Sequence, residues 1–423
     1  MLPGGRELYF IVNHSTKDIS VRAFFNGRMA ENWDPWTGRI SRLPQEDCNG
    51  QISLLLELKD GGSVLLCICQ DESQACCTDG ASETGKEAGA AGSEEENKVC
   101  ENCGSSAEEL QIGSIRAEEC NVWPLEYCDL YIDGEIYQDC SAIAAGNKVF
   151  KKRGFLANPW DNEVQFKTRT YERNQFYTEN SGFAAVYHFE AAPGFRPGKV
   201  SLAVEYGSRY DITVNGKKPQ PAEGEYFLDE LIKSYDIGCL IQEGRNEIRI
   251  EAAKFDVELE VEPVTLRGDF GVYARDDCWV MDTLRPLEMG SWKGQGYPFY
   301  YGAVLYKGKY DYDGKGEVKV HVAKEEATAV SLRINGEYAG ALNLNGEQGK
   351  LITSLLKTGE NKLSVRVCGS MKNCLGPHFD PSRPRRTAWP DMWRRAPKQG
   401  SPRPEEYDLI DYGMTKPMII ERA

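Results

Sequence analysis

The sequence predicts an all-β protein in which a small N-terminal antiparallel sheet is followed by two jelly-roll sandwiches. Three observations indicate this fold class. Most of the chain consists of short segments of alternating polar and apolar residues, separated by turns rich in Gly, Asn and Pro. One strand-and-turn unit occurs twice, and the longest helix-like stretch, at 227–241, is short. With 423 residues the chain is too long for a single core, so two or three domains are expected.

The first 70 residues predict the N-terminal sheet. The stretch ELYFIVNHSTKDISVRAFF at 7–25 contains two alternating strands joined by a polar turn. QISLLLELKDGGSVLLCIC at 51–69 predicts a hairpin with Asp60, Gly61 and Gly62 at its tip. This sheet is short for an independent domain, and little sequence is available to cover its apolar face.

Residues 71–110 predict an acidic disordered linker or insertion. They contain eleven acidic residues and two lysines, so more than half of the net charge of −15 lies in this segment. Few of its residues are large and apolar, so it cannot bury enough surface to fold by itself. The remainder of the chain shows no basic face that would neutralise phosphates, so nucleic acid is not an expected partner.

The same segment leaves two interpretations of its thiols open. Its four cysteines are Cys76, Cys77, Cys100 and Cys103. CENC at 100–103 has the two-residue spacing of a zinc knuckle, whereas adjacent cysteines form a poor chelate and all four can be incidental residues of a loop. We therefore predict no metal ligand and no cofactor. Cysteines at strand positions, among them Cys67 and Cys69, are expected to act as small buried apolar residues.

The sequence also predicts a cellular compartment. No apolar run approaches the roughly 18 residues that a membrane-spanning helix needs. The opening MLPGGRELYFIVN lacks the basic-then-apolar pattern of a secretory signal. We therefore expect a cytoplasmic protein without a membrane partner, whose cysteines are reduced.

An internal repeat is the strongest long-range signal. In the first copy a strand ends at Asn215-Gly216, and a Gly-Arg-Asn turn follows at 244–246. In the second copy a strand ends at Asn335-Gly336, and Gly-Glu-Asn follows at 359–361. Asn-Gly permits positive φ and closes a hairpin, and Gly-x-Asn makes a second tight turn. Two copies imply two β-sandwiches of similar design.

This repeated unit resembles the galactose-binding-like jelly rolls of large glycoside hydrolases. Such jelly rolls include the sugar-binding domain of glycoside hydrolase family 2 and the accessory sandwiches of family 106, the α-L-rhamnosidases. YFIVNHSTKDISVRAFFNGRMAENWDPWTGRI at 9–40 is similar to the segment that follows the catalytic barrel in these enzymes. GQGYPFYYGAVLYKG at 294–308, NCLGPHFDP at 373–381 and LIDYGMTKPMIIE at 409–421 are similar to parts of a later sandwich.

The resemblance implies a domain organisation. Residues 1–70 would be a sheet remnant that follows a missing catalytic barrel, and 71–110 would be the linker or insertion. The first jelly roll would span 111–270. The second would span 271–423 and end in a Pro/Arg/Trp-rich loop. A (β/α)₈ barrel takes about 250 residues, and the sequence shows no such alternation of strand and helix.

The resemblance further implies an accessory carbohydrate-binding or scaffolding region of a glycoside hydrolase, without activity of its own. Two alternatives stay open. The chain could be a subunit of a split glycosidase acting on α-L-rhamnosides or β-galactosides, with its barrel on a separate chain. It could also be a self-contained hydrolase, so whether the chain is an enzyme is left open. Carbohydrate is the expected partner in each case.

The sequence predicts no catalytic residue. Asp269 and the pair Asp276-Asp277 are candidate carboxylates, but each has a plainer explanation, as a turn residue for Asp269 and as part of a charged loop for Asp276 and Asp277. A Gly-x-Ser-x-Gly nucleophile elbow is not present.

Aromatic residues are the candidate sugar contacts, because sugars stack their C–H faces on rings. The predicted carbohydrate-binding residues are Trp292, Tyr297, Tyr300, His378, Trp389 and Trp393. The run around Tyr297 and Tyr300 is also explained as a core strand. His378 follows the rigid Gly376-Pro377 pair, and either a structural role or a contact with a sugar hydroxyl would explain its position.

Overall fold

The computed structural model describes residues 6–15, 17–35, 40–48, 50–59, 61–71, 106–161, 167–322, 327–342, 349–378 and 396–422. Its regular structure is almost entirely antiparallel β, which confirms the predicted all-β fold class. The chain forms two compact units, Met1–Cys103 and Gly104–Ala423. Among the described residues, no helix has the length and apolar character needed to cross a membrane.

The N-terminal unit contains two antiparallel sheets. Its strands are β1 (Glu7–Val12), β2 (Ile19–Asn26), β3 (Met29–Trp33), β4 (Ile40–Arg42), β5 (Glu46–Cys48), β6 (Gln51–Leu58) and β7 (Ser63–Cys69). One sheet has the order β1-β7-β3-β4 and the other the order β2-β6-β5. Ile52 and Leu54 of one sheet share a core with Leu66 and Ile68 of the other.

The strands predicted at 51–69 exist, but they do not form a hairpin. β6 pairs with β2, and β7 pairs with β1, so the connection between β6 and β7 crosses from one sheet to the other. Each strand carries an apolar face, and pairing in separate sheets buries both faces against each other. Asn13 stabilises the crossing, because its Nδ2 donates to the carbonyl oxygens of Leu58 at 3.2 Å and Lys59 at 2.8 Å.

The C-terminal unit contains the remaining strands and three short helices. The strands are β8 (Ser106–Glu109), β9 (Ile112–Ala117), β10 (Asn121–Leu125), β11 (Tyr127–Ile132), β12 (Glu135–Ser141), β13 (Phe183–Ala191), β14 (Val200–Glu205), β15 (Asp211–Val214), β16 (Gln220–Phe227), β17 (Asp229–Asp236), β18 (Gly244–Ala252), β19 (Val264–Gly268), β20 (Gly271–Arg275), β21 (Cys278–Asp282), β22 (Gly290–Ser291), β23 (Ala303–Tyr312), β24 (Val318–His321), β25 (Ala329–Ile334), β26 (Glu337–Leu342), β27 (Lys350–Leu351), β28 (Gly359–Cys368), β29 (Gly413–Met414) and β30 (Ile419–Arg422). The helices are α1 (Ala142–Lys152), α2 (Lys167–Glu172) and α3 (Lys372–Leu375).

The first sandwich of this unit packs the sheet β10-β19-β14-β17-β16 against the sheet β12-β11-β13-β18-β15. Leu202 and Leu266 of the former share one core with Tyr187 and Ile250 of the latter. The hairpin formed by β20 and β21 extends the second sheet, because β21 pairs in parallel with the end of β13. This hairpin positions the candidate site described below.

The second sandwich packs the sheet β26-β25-β28-β23-β9 against the sheet β27-β24-β30-β8. Tyr306 and Leu332 of the former share a core with Val318 and Ile420 of the latter. β8 and β9 precede the first sandwich in the chain, and β30 is the last strand. The second sandwich is therefore assembled from both ends of the unit, and β9, within the predicted span 111–270, pairs with β23.

The two copies of the repeat form the same network of turns. Asn215 and Asn335 both have positive φ, 49° and 53°. Asn215 Nδ2 donates to Asn246 Oδ1 at 2.8 Å, and Asn335 Nδ2 donates to Asn361 Oδ1 at 2.8 Å. Asn246 and Asn361 are fully buried, and each also donates to two backbone carbonyl oxygens of its own turn. The repeat therefore corresponds to one turn structure built twice.

Two local elements differ from the sequence pattern. The helix-like stretch at 227–241 is mainly the strand β17, which pairs with β14 and β16. Tertiary pairing therefore overrides the local helix signal. α1 was not predicted. It begins after Ser141, whose Oγ accepts a hydrogen bond from the Ala144 N–H at 3.3 Å, and it buries Phe150 in the core of the first sandwich.

Candidate functional site

Three of the predicted sugar-binding residues lie in the core of the second sandwich. Trp292, Tyr297 and Tyr300 are 1%, 6% and 1% exposed. Trp292 Nε1 donates to Tyr306 Oη at 2.8 Å, and Tyr300 Oη donates to Glu119 Oε2 at 2.8 Å. Burial raises the pKa of the Tyr300 hydroxyl well above its ordinary value. Since the polar atoms of Trp292 and Tyr300 have protein partners, these residues pack the core of the structure.

Several sequence candidates lie elsewhere or outside the described residues. Trp389 and Trp393, and the four cysteines Cys76, Cys77, Cys100 and Cys103, are not among the residues that the structure describes. Asp276 and Asp277 form the turn of the β20–β21 hairpin, and Asp276 has a φ of +50°. Asp269 lies in the short connection between β19 and β20.

His378 is buried against the first sandwich. It is 3% exposed, and its Nε2 lies 2.6 Å from Oε2 of Glu126, which is 7% exposed. Its ring centroid lies 4.5 Å from that of Tyr407. Glu126 lies between β10 and β11, so this pair connects the C-terminal part of the chain to the first sandwich. The contact supports the structural explanation of the Gly-Pro-His turn.

A cleft of about 270 Å³ lies beside this pair on the outer face of the sheet that contains β11, β13 and β18. The hairpin β20–β21 and residues 401–407 form its walls. Its lining residues include Asp129, His188, Glu190, Arg245, Trp279 and Tyr407. Small-molecule sites are usually roughly 300–1,000 Å³ and combine apolar walls with a few convergent polar groups. The volume lies just below this range.

Asp129 lies opposite a β-bulge. Cys128 pairs with Cys140 and Leu130 with Tyr137, so two residues of β12 lie opposite Asp129 of β11. The bulge is therefore in β12, where Asp139 has a φ of +49°. Asp129 Oδ1 accepts from the Asp139 N–H at 2.8 Å, and Oδ2 lies 3.1 Å from His188 Nε2. The carboxylate and the imidazole are thus held in one orientation.

Glu190 and Arg245 supply opposite charges at the rim of the cleft. They are directly opposite each other on β13 and β18. Within the described part of the chain, neither side chain makes a hydrogen bond or an ion pair. A guanidinium offers several donors and a carboxylate offers acceptors only. Together they present the complementary groups that a sugar hydroxyl requires.

Aromatic rings form the floor of the cleft. The Trp279 ring packs edge-on against Phe299 and Tyr407, with centroid distances of 5.3 and 5.7 Å. Trp279 Nε1 and His188 Nδ1 are buried and have no hydrogen-bond partner among the described residues. Buried polar atoms of this kind normally have a partner, a bound water or a ligand. Both of these residues line the cleft.

The cysteines of the cleft are not suited to nucleophilic chemistry. Partial burial and the nearby carboxylates of Glu190, Asp276 and Asp277 raise the pKa of the Cys278 thiol above its ordinary value. Burial likewise raises the pKa of Cys128. Both thiols therefore stay protonated at neutral pH, and the thiolate is the reactive form. The arrangement of charges, rings and unpartnered polar atoms favours binding.

Sequence reasoning did not identify this cleft. Asp129, His188 and Arg245 lie in ordinary alternating strands, and Trp279 lies in a short hairpin strand. The alternation of polar and apolar residues in β13 and β18 predicts one outward-facing row of polar side chains on each strand, and this was the only sequence signal for the cleft. The elements that cover this outer face are set by strand pairing between residues far apart in sequence, which the alternation does not reveal.

Neither a family model nor a curated protein matches the sequence of this chain. Among solved structures, a rhamnosidase from a Novosphingobium species is similar over 99% of this chain and 23% of its own, with 13% identity and a TM-score of 0.31. A beta-D-mannosidase from Dictyoglomus thermophilum is similar over 61% of this chain and 32% of its own, with 12% identity and a TM-score of 0.22.

A beta-galacturonidase of glycoside hydrolase family 2 from Eisenbergiella tayi is similar over 61% of this chain and 37% of its own, with 12% identity and a TM-score of 0.20. The chain thus spans about a quarter to two fifths of the length of these glycoside hydrolases. Similarities of this size do not assign the chain to a family.

Proposed function

We propose that this chain is an accessory carbohydrate-binding region related to glycoside hydrolases, and that it has no catalytic activity of its own. The cleft of the first sandwich carries the proposal. There, Glu190 and Arg245 present charged groups that make no hydrogen bond or ion pair with the described residues, and they lie beside the rings of Trp279 and Tyr407. A sugar would exchange hydrogen bonds with the charged pair and place a C–H face over the rings.

Calorimetric titration with L-rhamnose, D-galactose and D-galacturonic acid tests the binding. We expect one of these sugars to bind weakly, with a Kd on the order of 1 mM, since only one ring is accommodated. Arg245→Ala is expected to weaken that binding by about 10-fold, because it removes a charge-assisted hydrogen bond. Lys309→Ala is the control, because it removes a cation from the second sandwich, where the Lys309 side chain is 67% exposed.

Two results would contradict the proposal. One is that none of the three sugars binds to the folded chain. The other is that binding is unchanged in both Arg245→Ala and Trp279→Ala. Turnover of an aryl α-L-rhamnoside or β-galactoside by the purified chain, abolished by a carboxylate-to-amide change, would replace the accessory role with a catalytic one.

A second candidate function is a subunit of a split glycosidase. Four large apolar side chains of the N-terminal unit favour it: Leu8, Phe10, Phe24 and Leu55 are 44%, 67%, 55% and 58% exposed. Exposed apolar residues of this size often belong to interaction surfaces. Under this proposal, mixing the chain with a glycosidase barrel encoded beside it raises aryl-glycoside turnover, and Phe10→Ser abolishes the increase. Unchanged turnover in the mixture contradicts this candidate.

A further inference from the structure

The N-terminal unit contains a compact group of metal-ligating side chains. One ligand atom each from Glu31, Cys67 and Cys69 lies within 4.8 Å of the other two. All three residues are fully buried, at 0% exposure.

The strand register brings the three residues together. Cys67 and Cys69 are two positions apart on β7, so both side chains point to one face of the sheet. β3 pairs with β7 so that Glu31 is opposite Cys67 and Met29 is opposite Cys69. This face is the reverse of the one that carries Leu66 and Ile68 into the core between the sheets. The group is thus held by two hydrogen-bonded strands.

The spacing fits a thiophilic divalent cation. Zinc binds cysteine sulfur at about 2.3 Å and carboxylate oxygen at about 2.0–2.2 Å, usually with tetrahedral geometry. Ligand atoms around such an ion are therefore about 3.5–3.8 Å apart, and the three atoms here lie within 4.8 Å of one another without a bound ion. Two sulfur ligands favour zinc over magnesium or calcium, which prefer oxygen.

The surroundings support such a site. Trp33 Nε1 donates to Glu31 Oε2 at 2.9 Å, which orients the carboxylate as partners of metal ligands commonly do. Met29, with 3% exposure, packs with both cysteines. We propose that Glu31, Cys67 and Cys69 bind one Zn²⁺ ion, which stabilises the N-terminal unit and displaces two thiol protons on binding.

Metal binding by the full-length chain tests the proposal. The cysteines at 76, 77, 100 and 103 are first replaced by serine, so that the neighbouring acidic segment contributes no thiol. Co²⁺ is then titrated as a spectroscopic substitute for zinc. We expect one equivalent to produce a thiolate-to-cobalt charge-transfer band, and zinc to displace the cobalt. Elemental analysis of the same protein after zinc loading and dialysis is expected to find one zinc per chain.

Three further variants locate the site. Cys67→Ser and Cys69→Ser are each expected to abolish the charge-transfer band, and Glu31→Gln is expected to weaken cobalt binding at least 10-fold. Cys374→Ser is the matched control, because Cys374 is a buried thiol of the C-terminal unit. It is expected to leave the band unchanged.

The proposal is overturned if the four-serine chain binds no cobalt or zinc, or if Cys67→Ser and Cys69→Ser keep the band. The triad would then be a buried structural cluster only. Far-UV circular dichroism verifies that each variant is folded. If either cysteine variant unfolds, the proposal is tested instead by measuring the thermal unfolding midpoint of the four-serine chain with and without a chelator. Chelation is expected to lower its thermal unfolding midpoint, and adding zinc is expected to restore it. An unchanged midpoint would overturn the proposal.

Discussion

The two sandwiches of the C-terminal unit have the same central strand order and the same asparagine turns, but they differ on one outer face. His188 of the first sandwich is only 26% exposed at its side chain and pairs with Asp129 inside the cleft. The register of the second sandwich places Lys309 at the corresponding position. Lys309 is 67% exposed and forms an ordinary surface ion pair with Glu360 at 2.8 Å.

The difference shows where a cleft arises in this architecture. Arg245 and Glu360 are corresponding residues, since each directly precedes the buried Asn of its turn. On the first sandwich, the β20–β21 hairpin and residues 401–407 cover the face that carries Arg245. The shared turns specify the sandwich, and an additional element over one face creates the cleft.

The largest predicted effect tests the part that the sandwiches share. Asn246→Ala and Asn361→Ala each remove four hydrogen bonds of a fully buried side chain. Each substitution is expected to lower the free energy of unfolding by about 3 kcal/mol, because buried backbone groups lose their partners. Urea denaturation measures the loss. The two losses should agree if the turns are equivalent.

Asn180→Ala provides the control, since Asn180 is exposed and lies in a loop of the first sandwich. It is expected to change the free energy of unfolding by less than about 0.5 kcal/mol. A loss in one sandwich that is twice the loss in the other would contradict the equivalence of the two turns.

The next prediction compares the stability that two histidine–carboxylate pairs contribute, a buried pair at the first sandwich and an exposed pair in the second. The side chains of His378 and Glu126 are 3% and 6% exposed, whereas those of His321 and Glu421 are 34% and 40% exposed. His378→Ala is expected to cost about 3 kcal/mol, because it leaves a buried carboxylate without this partner and opens a cavity. His321→Ala is expected to cost less than about 1 kcal/mol, because solvent screens that pair.

Thermal and urea unfolding of both variants measure this difference. His378→Gln is the control that separates hydrogen bonding from packing, since it retains a donor near Glu126 and should recover part of the loss. Equal costs at His378 and His321 would show that burial does not distinguish the two pairs.

The sequence revealed the shared features of the sandwiches better than their difference. Asn-Gly and Gly-x-Asn are local signals, because positive φ at Asn215 and Asn335 selects residues that tolerate it. The cleft depends on residues such as Asp129, His188 and Tyr407, which come from three distant segments.

The roles of aromatic residues were equally hard to predict from local sequence. Trp292 lies among Gly, Ser and Lys residues and Trp279 lies in a short apolar strand, yet the fold buries Trp292 in a core and places Trp279 in a cleft.

A charge exchange in the cleft is expected to have a smaller effect on stability. Arg245→Glu places two carboxylates directly opposite each other, at Glu190 and position 245. The expected cost is about 0.5 kcal/mol from repulsion across the strands. Combining it with Glu190→Arg restores opposite charges and should restore stability, as urea denaturation would show. A double variant no more stable than Arg245→Glu would show that the two positions do not interact. Sugar binding is expected to be lost in both variants.

The smallest effect concerns the corresponding surface pair of the second sandwich. The hydrogen bond from Lys309 lowers the pKa of the Glu360 carboxyl below its ordinary value. A carboxyl whose pKa is lower in the folded state contributes stability above its unfolded pKa, and this contribution is lost as the pH falls through the folded pKa. Lys309→Met should therefore raise the NMR titration midpoint of Glu360. The free energy of unfolding at pH 7 should stay unchanged within error, because both side chains are exposed and solvent screens their interaction.

Lys319→Met, on the other sheet of this sandwich, is the control and should leave the titration midpoint of Glu360 unchanged. If Lys309→Met also weakened sugar binding, the outer face of the second sandwich would have to belong to the binding site, and the contrast between the two sandwiches would fail.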